Sequence, residues 1–67
     1  MEDKQKILDT LLIPLRETRA LHDLCLLEYD WDREVVIATF ESGFTKTANV
    51  AMDSGIAMIR DLLAQIV

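Results

Sequence analysis

A chain of 67 residues with a net charge of −5 is the size of one domain, and such a domain buries only ~60% of the surface its unfolded chain exposes. Half of it is apolar, at 51%, but one cysteine and one histidine can build neither an internal disulfide nor a zinc-type site, so added stability would have to come from self-association or a partner. The acidic balance argues against direct binding to nucleic acid, because phosphates are neutralised by a basic face.

No apolar run approaches the roughly 18 residues of a membrane span. Residues 1–6 are mixed in charge and the apolar run at 11–15 is short, so no signal peptide is expected. The lone Cys25 fits a reducing compartment, which makes a cytoplasmic protein the expectation.

Ile7, Leu8, Leu11 and Leu12 recur at helical spacing, with Lys4, Lys6, Asp9 and Thr10 opposite, which predicts a helix over about 2–13. Pro14 is expected to end it by disfavouring the helical conformation at Ile13; a helix restarting with Pro14 in its first turn is the alternative. From Leu21 the pattern changes to runs of β-branched, aromatic and leucine residues over 21–29, 34–40 and 44–50, which predict three strands. Glu41, Ser42 and Gly43 fit a three-residue hairpin loop that pairs Phe40 with Phe44 and Val36 with Ala48. For the first hairpin a turn at Trp31 and Asp32 is expected, pairing Asp30 with Arg33 and Tyr29 with Glu34. Beyond the sheet, Asp53 or Ser54 caps a helix whose apolar positions are Ile56, Ile59, Leu62, Leu63 and Ile66. The prediction is a single α+β domain over 1–67, in the order α-β-β-β-α, with a three-stranded antiparallel meander and flanking helices.

Alternation along the strands puts Cys25, Leu27, Tyr29, Val36, Ala38, Phe40, Phe44, Ala48 and Val50 on one face, the expected core side. The other face mixes Leu24, Leu26, Val35 and Ile37 with Glu28, Thr39, Thr45, Thr47 and Asn49. Those four apolar residues form a candidate self-association surface, through which the chain would pair as a homodimer unless the first helix or a target covers them.

The charge is unevenly distributed. Glu2, Asp3, Asp9 and Glu17 balance Lys4, Lys6, Arg16 and Arg19, whereas Asp23, Glu28, Asp30, Asp32 and Glu34 meet only Arg33. The only tryptophan, Trp31, lies within that acidic stretch, either as an exposed anchor or folded back as a lid on the core. Tryptophan and tyrosine are enriched in interface hot spots and carboxylates steer basic partners, so Glu28, Asp30, Trp31, Asp32 and Glu34 form a candidate partner-binding tip. The expected partner is a basic protein, including one that itself binds nucleic acid.

Chemistry-bearing residues are sparse. His22 adjoins Asp23, but neighbours on a strand point to opposite faces and no nucleophile accompanies them. Cys25 lies in an apolar run, where a thiol is usually buried and inert. Asp30, Asp32, Glu34 and Glu41 have calcium-loop spacing, yet the sixth place is Val35 where such loops need glycine. Ser54 and Gly55 at a helix start could attract an anion, but Asp53 would repel it. Met52 and Met58 read as core filler. The expectation is therefore no catalytic residue, no metal and no cofactor.

The pattern Phe40-x-x-Gly43-x-x-Lys46-x-x-Asn49-Val50-x-x-Asp53-Ser54-Gly55-x-Ala57-Met58-Ile59-x-Asp61 resembles small proteins encoded by phages and prophages of Gram-positive bacteria, over about a third of the chain. In its order of elements, size and acidity the chain is also similar to some type II anti-CRISPR proteins, which block a nuclease by mimicking DNA. That resemblance implies a phage-encoded inhibitor of a host protein and assigns no site residue.

Overall fold

The computed structural model describes residues 3–67; the expected helical start at residue 2 lies outside them. Five elements follow one another: α1 (Lys4–Arg16), β1 (Leu24–Asp30), β2 (Val35–Phe40), β3 (Thr45–Asn49) and α2 (Gly55–Ile66). The strands form one antiparallel sheet in the order β1-β2-β3, the α-β-β-β-α meander read from the sequence.

Asp3 caps α1 by accepting the Lys6 N–H at 3.0 Å. The helix then runs through Pro14 to Arg16, where the sequence reading ended it at 13. Proline removes one backbone bond late in the helix, and the extra turn seats Leu15 in the core, 8% exposed. Two short turns finish the helix: Glu17 N–H donates to Pro14 O and Thr18 N–H to Leu15 O, at 3.2 and 3.1 Å.

The second hairpin has the expected register. Val36 pairs with Ala48, Phe40 N–H donates to Phe44 O at 2.9 Å, and Gly43 takes φ 88 in the three-residue loop. The first hairpin corrects its reading. Asp30 pairs with Val35 and Tyr29 with Val36, so the loop spans four residues, 31–34, and Arg33 and Glu34 belong to the turn. A shift of this size keeps the side chains on their expected faces, since alternation has a period of two.

A bulge changes the faces at the start of β1. Leu24 pairs with Phe40 and Leu26 with Thr39, leaving Cys25 as the extra residue. Leu24 therefore turns into the core with no exposed surface, whereas Cys25, expected inside, is exposed. Phe44 is likewise outside the core, 58% exposed, with its ring centroid 6.1 Å from that of Phe40.

Both helices pack on the same face of the sheet, α1 over β1 and α2 over β3. Leu8 and Leu15 from α1 and Met58, Leu62 and Ile66 from α2 close over Leu24, Leu27, Val36, Ala38 and Ala48. Ser54 is the N-cap of α2, accepting the Ala57 N–H at 3.3 Å, and Lys46 donates to the Ile66 carbonyl at 3.2 Å at the other end. Ile56, expected on the apolar side of α2, is 79% exposed. No described element covers the opposite face of the sheet.

Each helix also occupies part of one sheet edge. Gln5 donates to Leu27 O at 2.9 Å and accepts the Tyr29 N–H at 2.8 Å, standing in for a fourth strand beside β1. Gln65 does the same for Asn49 on β3, with bonds of 2.9 Å and 3.0 Å. Edge groups satisfied this way cannot pair with another chain.

Candidate protein interface

The acidic tip is built by its own first carboxylate. Asp30 Oδ1 accepts the N–H groups of Asp32 and Arg33 at 3.0 and 3.2 Å, and Asp30 O accepts the Glu34 N–H at 2.8 Å. Closing the loop requires Glu34 to adopt φ 54, a left-handed conformation that costs a non-glycine residue roughly 1–2 kcal/mol. Glu34 Oε1 in turn lies 3.5 Å from the Met52 N–H.

Trp31 stands on this turn 61% exposed, with its ring edge-on to Tyr29 at a centroid distance of 4.6 Å. The indole is therefore exposed and does not fold back as a lid on the core, and its one ring contact among the described residues is to the buried Tyr29. Lys4 from α1 reaches the same aromatic pair, its ammonium 5.1 Å from the Tyr29 ring centroid and 3.5 Å from the hydroxyl. Asp32 is exposed in the turn, and Glu28 is exposed on the uncovered sheet face. The five tip residues thus divide: Asp30 and Glu34 are engaged in building the turn, whereas Glu28, Trp31 and Asp32 are available to a partner.

Met52 was misread as core filler. It is 93% exposed with φ 63, and its link to Glu34 places it beside the tip. No periodicity marked it, because it lies between β3 and α2; an apolar side chain held outward in a strained conformation is the signal, visible only in the fold.

The candidate self-association set is split by the structure. Leu26 is 40% exposed and Ile37 half-buried on the open face, in rows with Thr39 and Thr45 and with Glu28 and Thr47. Leu24 is in the core, and Val35 is 8% exposed between Asp30 and Asn49. An antiparallel sheet with one polar, solvated face looks like this.

The residues weighed for chemistry contact backbone carbonyls. His22 is exposed, with Nδ1 2.9 Å from the Arg19 carbonyl, and Cys25 Sγ lies 3.9 Å from Asp23 O. Val35, the sixth place of the calcium-like spacing, opens β2. Among the described residues no three of His, Cys, Asp or Glu are placed to hold a metal ion, and no helix is long and apolar enough to cross a membrane.

Asp53 and Asp61 interact across the first turns of α2. A hydrogen bond shared with Asp61 raises the Asp53 pKa above 3.8, while the same bond and then Arg60, 3.2 Å away, lower that of Asp61. Asp53 Oδ2 is buried without a donor to accept from, which also favours its protonated form. Comparison of the chain with protein-family models, with curated proteins and with solved structures returned no match.

Proposed function

We propose that this chain is a small protein-binding module whose tip, formed by Trp31 and Asp32 at the first hairpin, docks on a basic protein surface. The observation that carries the reading is Trp31, 61% exposed on a turn whose backbone is strained at Glu34. An exposed indole supplies buried area on binding, and the surrounding carboxylates steer a cationic partner. With the chain's acidity and its resemblance to phage-encoded proteins, the partner class we favour is a host protein that binds nucleic acid, occupied and inhibited at its basic cleft. The role is binding, with no catalytic step.

The test is affinity capture from bacterial lysate with the tagged chain, washed at low and high salt, beside a Trp31→Ala, Asp32→Lys variant. A host protein released by salt and lost with the variant is expected, because screening weakens exposed charge pairs. Equal capture by both chains would remove the tip from consideration. A second reading, homodimerisation through the open sheet face, is favoured by Leu26 at 40% exposure, and weakened by the burial of Leu24 and Val35. Loss of self-association in Leu26→Glu would support it.

A further inference from the structure

The first hairpin sets a flat aromatic ring beside an unpaired charge. Trp31 meets Tyr29 at an interplanar angle of 82°, so one ring turns its edge to the face of the other. Whichever ring gives the edge, at least one face of the indole has no ring against it, and the residue is 61% exposed. Asp32, next in the chain, lends only its backbone N–H to the turn, donating to Asp30 Oδ1 at 3.0 Å. Among the described residues the one ion pair joins Arg60 to Asp61, so the exposed Asp32 carboxylate holds no cation. Even Arg33 beside it engages the turn through its backbone, its N–H donating to Asp30 Oδ1 at 3.2 Å.

The aromatic pair already draws a cation from its own chain. Lys4 Nζ lies 5.1 Å from the Tyr29 ring centroid and 3.5 Å from the hydroxyl, which uses the tyrosine half of the pair. The indole half takes no cation from the described residues. Lys4 and Arg33 offset only part of the charge that Glu28, Asp30, Asp32 and Glu34 bring to this end of the sheet, so the surroundings of the open indole remain negative.

We infer that the tip takes an arginine side chain of its partner, the guanidinium stacked on the open face of Trp31 and bonded at its edge to the Asp32 carboxylate. A flat ring bordered by a carboxylate asks for a flat cation. Guanidinium is planar and weakly hydrated, so it stacks on an aromatic face while its N–H fork reaches sideways to an oxygen pair. A lysine ammonium is compact and strongly hydrated, and gains less from the same two groups. The inference rests on the tip reading for its partner and narrows that partner from a basic surface to one that presents arginine.

Trp31 emission tests it directly, because the chain has no other tryptophan. The full chain is titrated with two short blocked peptides of equal length and charge, one alternating glycine with arginine and the other glycine with lysine. The expected result is a saturable change in emission with the arginine peptide bound about fivefold more tightly, the gain of a cation stacked on an exposed ring. Asp32→Asn, whose side chain the turn does not use, should remove most of that preference, whereas Glu41→Gln, which loses the same charge in the other hairpin, should keep it. No saturable response to the arginine peptide, equal affinity for the two peptides, or an undiminished preference in Asp32→Asn would each overturn the inference. The tip reading is judged separately by the lysate capture. Capture lost in the tip variant, together with equal peptide affinities, would sink this inference alone, and equal capture together with an arginine preference would sink only the partner assignment.

Discussion

The two hairpins of this sheet solve the same problem with different chemistry. The loop after β2 uses Gly43, which takes φ 88 without a side-chain penalty, and no atom within 4 Å would meet a Cβ there. The loop after β1 has no glycine. It is held by the Asp30 carboxylate and closes through Glu34 at φ 54, leaving an indole and a second carboxylate in water. Both hairpins leave an aromatic side chain exposed, Phe44 at 58% and Trp31 at 61%, but only the strained one sets it between two carboxylates, Asp30 and Asp32, which is why it is the candidate interface.

The largest effect expected from breaking this contrast lies where β1 meets Phe40, at the foot of the quiet hairpin. Leu24→Ala should cost about 3 kcal/mol, a large share of what a domain this small has, while Cys25→Ala should change little. Urea midpoints of the two variants check the bulge, and the reverse ranking would restore simple alternation. Next, Gly43→Ala should destabilise by about 1–2 kcal/mol through its backbone alone. Asp30→Ala should cost about 1 kcal/mol by freeing two turn N–H groups to water. Glu34→Gly should go the other way and stabilise by up to ~1 kcal/mol, a sign that separates the strained hairpin from the relaxed one.

The smallest effect concerns pH. Asp53, with its pKa raised above 3.8, makes the folded chain hold a proton that the unfolded chain releases, so stability falls as pH rises from 3.8 through the folded value. Asp61, with its pKa lowered, acts in the window below 3.8, losing stability as pH falls. Asp53→Asn removes the first titration and should flatten the urea midpoint above pH 3.8, and because the bond to Asp53 is the main cause of the lowered Asp61 pKa it should also alter the loss below 3.8. An unchanged profile would show that the two carboxyls do not share a proton.

What the sequence disclosed follows from the same contrast. Gly43 announced its loop and register, the order of elements was readable from periodicity, and the cap of α2 was narrowed to Asp53 or Ser54, of which Ser54 holds the place. The first turn was misplaced because Asp30 acts through a side-chain bond that imitates a turn residue, and nothing in the spelling Asp30-Trp31-Asp32-Arg33-Glu34 shows where the strand resumes. The bulge was hidden because Leu24, Cys25, Leu26 and Leu27 are all apolar, so no polar residue marks the slip in alternation. Pro14 was read by its intrinsic preference, and the burial of Leu15 overrode it. For the site, the acidic stretch and Trp31 were legible, but which carboxylates build the turn was not. Met52 and Ile56 were misread as buried, because their exposure depends on how α2 approaches the sheet.

Trp31 offers the most direct measurement, since it is the chain's single tryptophan and its emission reports on the tip alone. Titrating the chain with the salt-released protein from the capture experiment should shift that emission to shorter wavelength and protect it from quenching by acrylamide, with a midpoint that weakens as salt rises. Binding that leaves Trp31 emission and quenching unchanged would contradict the account, placing the interface elsewhere on the molecule.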